Sequence, residues 1–203
     1  MAEADIEKYC DVMEEAKRRT SVIDFFLSGQ GNAIYVPTTV ETCCLQLRKI
    51  LELIAFASLV ANKEAYSSVY ADFAKYWNAG QLLKLLAKVN PCFYPQPVIE
   101  VPSKQLGIKH ELKKREPDYL SEKEFTELYG RCGVIMHAAN PYGTHIDYDF
   151  YKKTLPVWRS RIINLLNNHE IRLVGNPGLY LIHMKEDGTD KVRGYTFAPA
   201  KPI

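Results

Sequence analysis

The residues best suited to chemistry lie between Leu128 and Pro141, in the run Leu-Tyr-Gly-Arg-Cys-Gly-Val-Ile-Met-His-Ala-Ala-Asn-Pro. Arg131 and His137 stand six positions apart there. An imidazole titrates near neutrality and can move a proton. A guanidinium can hold a phosphate and the charge that develops on it. Six residues of ideal helix leave the two side chains about 120° apart. They converge on one spot if Arg131 bends round or if a second subunit completes the site. The plainer reading is a histidine that caps the last turn of its helix beside a solvated or ion-paired arginine.

Other groups compete with this pair. Arg48, Lys49 and Glu52 interrupt an otherwise apolar helix, with Arg48 and Glu52 four residues apart on one face. Buried charges need partners, so these residues form either an internal ion pair or the lining of a cleft. If their helix borders the one carrying Arg131, Glu52 or Arg48 completes a polar site with His137. His137, His145, Asp147 and Asp149 are residue types that bind transition metals. Their spacing fits no compact site, and Asp147 is a natural helix cap, so neither a metal nor a cofactor is expected. Lys152, Lys153, Arg159 and Arg161 make either a phosphate-binding face or an ordinary solvated one. His110 and His183 have no partner visible in the sequence. The chain carries no P-loop, GxGxxG, GxSxG or HExxH motif.

The elements that must position these residues are mostly helical. Helical spacing is expected over 5–28, from just after Pro37 to about Asn62, over 63–77 with the aromatics Tyr66, Tyr70, Phe73 and Trp77, and over 80–89. From Leu53 onward the second helix is apolar almost all round, which predicts a central place in a bundle. Five prolines punctuate 91–119, which reads as a long surface loop with Val98–Val101 as an edge strand at most. Ser121-Glu122-Lys123-Glu124 is a capping box opening a helix expected to reach Ala139, where Asn140-Pro141-Tyr142-Gly143 stops it. Gly130 and Gly133, three apart on that helix, would let another backbone approach closely. A last helix is expected over about 147–168. From 170 the period changes to two, predicting strands at 170–174, 179–185 and 192–197 in a three-stranded antiparallel β-meander.

The 203 residues suit one domain with an appendage, 1–168 for the helices and 169–203 for the meander. A net charge of +2 and a pI of about 8.2 argue against a general polyanion-binding field. Five cysteines include no CxxC pair, and Cys43 and Cys44 in their apolar run read as buried, reduced thiols, which points to a cytoplasmic location. The start lacks a signal-peptide pattern, and the longest apolar run is too short to cross a bilayer, so no membrane partner is expected.

The Arg131-x5-His137 spacing near the end of a late helix, behind an apolar central helix, resembles the HEPN family of helical nucleotide-binding domains. The resemblance covers roughly residues 1–168 and not the meander. It implies a mainly α, HEPN-like helical bundle, with the meander as an addition. It further implies a homodimer and metal-independent RNA cleavage of toxin or defence type, or RNA or nucleotide binding. On it His137 is the acid–base group acting on a ribose 2′-hydroxyl, Arg131 the phosphate ligand, and Asn140 a residue that orients either. Cys132 stands where many active members carry a polar residue. The alternative is a non-catalytic module on the same bundle that docks a protein partner.

Overall fold

The computed structural model describes residues 3–67, 78–105, 108–175, 178–186 and 188–197. Among them six helices run in the order α1 (Glu3–Leu27), α2 (Val36–Ala61), α3 (Lys63–Ser67), α4 (Ala79–Val89), α5 (Glu122–Ile135) and α6 (Tyr148–Leu166). Five strands join them: β1 (Gln96–Pro102), β2 (His110–Lys114), β3 (Asn168–Ile171), β4 (Leu179–His183) and β5 (Arg193–Phe197). The expected aromatic stripe beyond Ser67 lies outside the described residues, while Tyr66 is fully buried.

Helix α2 is the axis of the helical layer. Leu47, Ile50, Leu51 and Ile54 are all essentially inaccessible, and α1, α4, α5 and α6 lie against it. Its start carries no side-chain cap, and Pro37 in its first turn removes one of the unpaired N–H groups there. Asn78 caps α4 by accepting from Gln81 N, and Asp147 caps α6 by accepting from Phe150 N. The capping box of Ser121 and Glu124 forms at the head of α5 as its residues predict. Among the described residues no helix is long and apolar enough to cross a membrane.

The expectation of a helical bundle with a three-stranded meander is corrected. The fold is mixed α/β, and its sheet has five antiparallel strands in the order β2-β1-β3-β4-β5. The Pro-rich segment 91–119 is not a surface loop. It holds the β1–β2 hairpin, paired from Val98↔Lys114 to Pro102↔His110. Strand β1 is also not an edge, because Gln96 and Pro97 pair with Glu170 and His169 of β3. Prolines are tolerated here because they sit near the ends of the strand, where a missing N–H costs few ladder bonds. The true edge on that side is β2, whose exposed Lys113 and Lys114 discourage pairing with another chain.

Helices and sheet are joined by two buried polar pins. His169 of β3 is wholly buried, with Nδ1 2.7 Å from the Leu166 carbonyl and Nε2 2.8 Å from the Tyr9 hydroxyl of α1. Burial pushes this imidazole down to about 4, so it is neutral: Nδ1–H donates to Leu166 and Nε2 accepts from Tyr9. The second pin is Asn90, which donates to Asn62 Oδ1 and to the Arg172 carbonyl, both at 2.7 Å, tying the ends of α2 and α4 to the strand layer. Helix α1 settles on β5 at Gly194, where a Cβ would sit 2.6 Å from Ile6 Cγ2.

The His169 pin has a pH signature. Unfolded, the imidazole takes up a proton near 6.5, whereas in the fold it resists protonation down to about 4. The stability it contributes is therefore complete above about pH 6.5 and is lost as pH falls toward 4. Urea unfolding should show stability declining by roughly 1 kcal/mol per pH unit between about pH 6 and 5, and this slope should shrink in His169→Leu. A flat profile across that window contradicts a neutral buried His169.

Candidate functional site

Helix α5 ends at Ile135, with Met136 as its C-cap, and not at Ala139 as its pattern predicts. His137 is therefore outside the helix, in an exposed bend at the start of the connection to α6. Only its backbone N–H reaches back, to the Val134 carbonyl at 3.4 Å. Its imidazole caps nothing among the described residues.

Arg131 lies six residues earlier, on the outer face of α5. The rotation of the helix explains this. Leu128, Tyr129, Cys132 and Ile135 are buried, which leaves Gly130, Arg131 and Val134 in solvent. Cys132 meets Cys44 of α2 in the core. A hydrogen bond shared by the two thiols, with burial added, pushes Cys44 well above its usual range. The guanidinium of Arg131 rests on the ring of Phe150 in α6, 5.2 Å from its centre, and Tyr151 donates from its hydroxyl to the Arg131 carbonyl at 2.9 Å. Arg131 forms no ion pair among the described residues. Arg19, Arg48, Arg159, Arg161, Arg172 and Arg193 each hold a carboxylate, whereas Arg131, like Arg18 and Arg115, has none among the described residues.

The supporting residues divide. Arg48 and Glu52 of α2 do border α5, but they meet its middle. The Arg48 guanidinium lies 4.1 Å above the Tyr129 ring centre and donates to the Tyr129 hydroxyl at 2.8 Å. Glu52 sits 3.4 Å from both Arg48 Nε and Lys49 Nζ and accepts from the Tyr129 hydroxyl at 3.4 Å. This is a closed, half-buried network between α2 and α5. Asn140 uses its side-chain oxygen to accept from Tyr142 N at 3.0 Å, shaping a tight turn that its own carbonyl closes through Gly143 N. That turn holds Tyr142 99% exposed, an aromatic ring in water in the same connection as His137. The sequence places Tyr142 only in a helix stop; the bare Pro-Tyr-Gly turn was its one signal.

The expected basic face on α6 is likewise divided. Arg159 clamps Asp24 of α1 through Nε at 2.6 Å and Nη2 at 2.7 Å, and Arg161 pairs with Glu124 of α5. Lys152 and Lys153 remain exposed, Lys152 beside the α1–α2 turn. His145 and Asp149 are exposed as well, and Asp147 is occupied as a cap. Among the described residues no three His, Cys, Asp or Glu side chains gather closely enough to hold a metal ion.

A second polar cluster lies on the outer face of the sheet. His183 Nε2 of β4 is 2.6 Å from Glu100 Oε1 of β1, close though not in line for a hydrogen bond. Its ring also meets Tyr195 of β5, with centres 5.0 Å apart. This pairing depends on β1 and β4 flanking β3, a neighbourhood that no local sequence pattern announces.

The two glycines of α5 have different surroundings. A Cβ on Gly133 would stand 3.0 Å from Arg48 Nη1, so this glycine makes room for a side chain and not, as expected, for a backbone. A Cβ on Gly130 would meet nothing within 4 Å. Gly130→Ala should therefore stabilise the protein by about 1 kcal/mol through helix propensity alone. Gly133→Ala should gain distinctly less, or lose, because the guanidinium must move. Urea denaturation of the two variants measures the difference, and equal gains would contradict the tight Arg48–Gly133 contact.

Set against protein-family models, curated proteins and solved structures, the chain matches none of them.

Proposed function

We propose that this chain binds RNA at the corner between α5 and α6 and cleaves it without a metal, in the manner its HEPN-like motif implies. The observation that carries the reading is the free, exposed guanidinium of Arg131, braced on Phe150 and followed by the exposed imidazole of His137. A guanidinium without a carboxylate partner is available to a phosphate. Lys153, exposed three residues after Phe150 on α6, adds positive charge. Tyr142 supports the same reading, since a fully exposed aromatic ring can stack on an unpaired base.

In the cleavage step, the ribose 2′-oxygen bonds to the adjacent phosphorus as its proton passes to His137. The P–O5′ bond then breaks, and O5′ takes a proton from solvent or from the histidine of a second subunit. The products are a 2′,3′-cyclic phosphate end and a 5′-hydroxyl end. Arg131 stabilises the charge on the phosphoryl oxygens as it grows. A second copy of the chain, facing the same corner, would close an otherwise open surface into a cleft, which is the reason for expecting a homodimer.

A second reading, a non-catalytic module that docks a protein partner, is favoured by a different surface. In the α1–α2 turn, Ile34 is 94% exposed and Tyr35 58%, next to Val36 and Phe25, both about half exposed. Ile34 is held at φ 74°, a strained conformation for a β-branched residue.

Single-stranded RNA incubated with chelator separates the two. Wild type should yield cyclic-phosphate products, and His137→Ala should lose roughly 10²–10⁴-fold in rate. Tyr142→Ala should weaken RNA binding by about 5-fold or more through lost stacking, with the fold intact. Equal cleavage by wild type and His137→Ala removes the catalytic claim, and no RNA binding by either leaves the docking reading.

A further inference from the structure

The outer face of the sheet carries a hollow that the ribonuclease reading does not use. Its lining comes from both hairpins. Leu112 of β2 lies on one side of β3, and Leu179, Leu181 and Phe197 of β4 and β5 lie on the other. Strand β3 has only four residues, and β1 pairs with it through Gln96 and Pro97 alone. Both hairpins thus overhang a short central strand and face each other across it. The hollow has a volume of about 410 Å³, within the usual range for small-molecule sites.

An antiparallel sheet that packs helices on one face normally turns polar residues outward on the other. Here the helix side carries His169, Ile171, Tyr180 and Ile182, all buried. The opposite side repeats apolar residues at Leu179, Leu181 and Phe197, with Leu112 across the sheet. Phe197 stays 47% exposed. The polar lining of the hollow is Glu100, His183, Tyr195 and the exposed His110, one each from β1, β4, β5 and β2. Tyr195 is already committed, since its hydroxyl donates to Glu186 at 3.2 Å, and Glu186 also holds Arg193.

Of the two histidines in the lining, His110 is exposed, and His183 is the one set beside Glu100 to address a ligand. Its Nε2 faces the Glu100 carboxylate at 2.6 Å and is shielded from water. The nearby carboxylate favours the proton of a neutral ring on Nε2, even across a contact that is not in line for a hydrogen bond, and this leaves Nδ1 with a lone pair. Nδ1 has no protein partner among the described residues. His183 lines the hollow, so a ligand there that carries a donor can reach the unpartnered ring nitrogen.

We propose that this hollow binds a small, mainly apolar molecule carrying one hydroxyl, of the phenol or alicyclic alcohol class, with its O–H donated to His183 Nδ1 and its hydrocarbon body on Leu112, Leu179, Leu181 and Phe197. Glu100 acts as a positioning residue that selects the imidazole tautomer. The site is independent of the RNA-binding corner. Arg131 meets the first turn of α6, whereas β3 at the centre of the sheet follows its last, and the sixteen residue steps from Phe150 to Leu166 span about 24 Å of helix.

The test uses 2-naphthol and its methyl ether, 2-methoxynaphthalene, titrated into the full chain and followed by amide shifts in NMR. Wild type should bind 2-naphthol about tenfold more tightly than the ether, the difference one hydrogen bond in an apolar setting makes. His183→Phe should bind both with the affinity of the ether, and Glu100→Gln should narrow the preference. Phe197→Asp, at a half-exposed edge position, should weaken both ligands at least tenfold with an unchanged circular dichroism spectrum. Arg131→Ala should change nothing. Equal affinity for the two ligands in wild type, binding indifferent to Phe197→Asp, or no binding of either at millimolar concentration each overturns the proposal, whatever the outcome of the RNA assay.

Discussion

A helix that is apolar around most of its circumference has to be surrounded, and in this chain that requirement falls on α2. Burying Leu47, Ile50, Leu51 and Ile54 contributes about 2 kcal/mol each. No single neighbour can cover all of them. Helices α1, α4, α5 and α6 therefore close around α2, and their own inward faces follow from contact with it. The rest of the structure is arranged by what this cylinder of helices leaves uncovered.

The charges on α2 then decide how α5 is rotated. Arg48 and Glu52 cannot be left unpaired at a half-buried contact, and they are satisfied by Tyr129, whose ring and hydroxyl both engage the guanidinium. Gly133 provides the space this needs. With Tyr129 and Cys132 turned inward, Arg131 has to face outward, where Phe150 receives its guanidinium. Arg48 and Glu52, expected to complete a polar site, are engaged with Tyr129 instead. They set the direction of Arg131 without sharing its surface.

The strand layer is governed by a different constraint. His169 is buried between α1, α6 and the sheet, and it stays neutral because charging it there would cost its full hydration. It holds the first residues of β3 directly against the end of α6. That leaves β3 short between two longer hairpins, and a short central strand under overhanging neighbours makes a hollow in place of a flat face. The pin on the inner side and the hollow on the outer side are therefore two consequences of one junction.

Much of this was legible in local pattern. The capping box at Ser121, the Asp147 cap, the central apolar run of α2, the buried Cys43 and Cys44, and the period-two stretches that became β4 and β5 all express interactions within a few residues of one another, whereas β3 lies at 168–171 and not at the expected 170–174. Arg131 and His137 were likewise visible as residue types at a spacing. What the sequence could not express was which distant segments meet. The β1–β2 hairpin was hidden by its prolines, and its place beside β3 depends on a pairing between residues more than seventy positions apart. The outward turn of Arg131, the engagement of Arg48 with Tyr129, and the meeting of Glu100 with His183 likewise belong to the tertiary structure alone. Each arises because burying one face of an element fixes where its other face points, and that is settled only when the neighbours are in place.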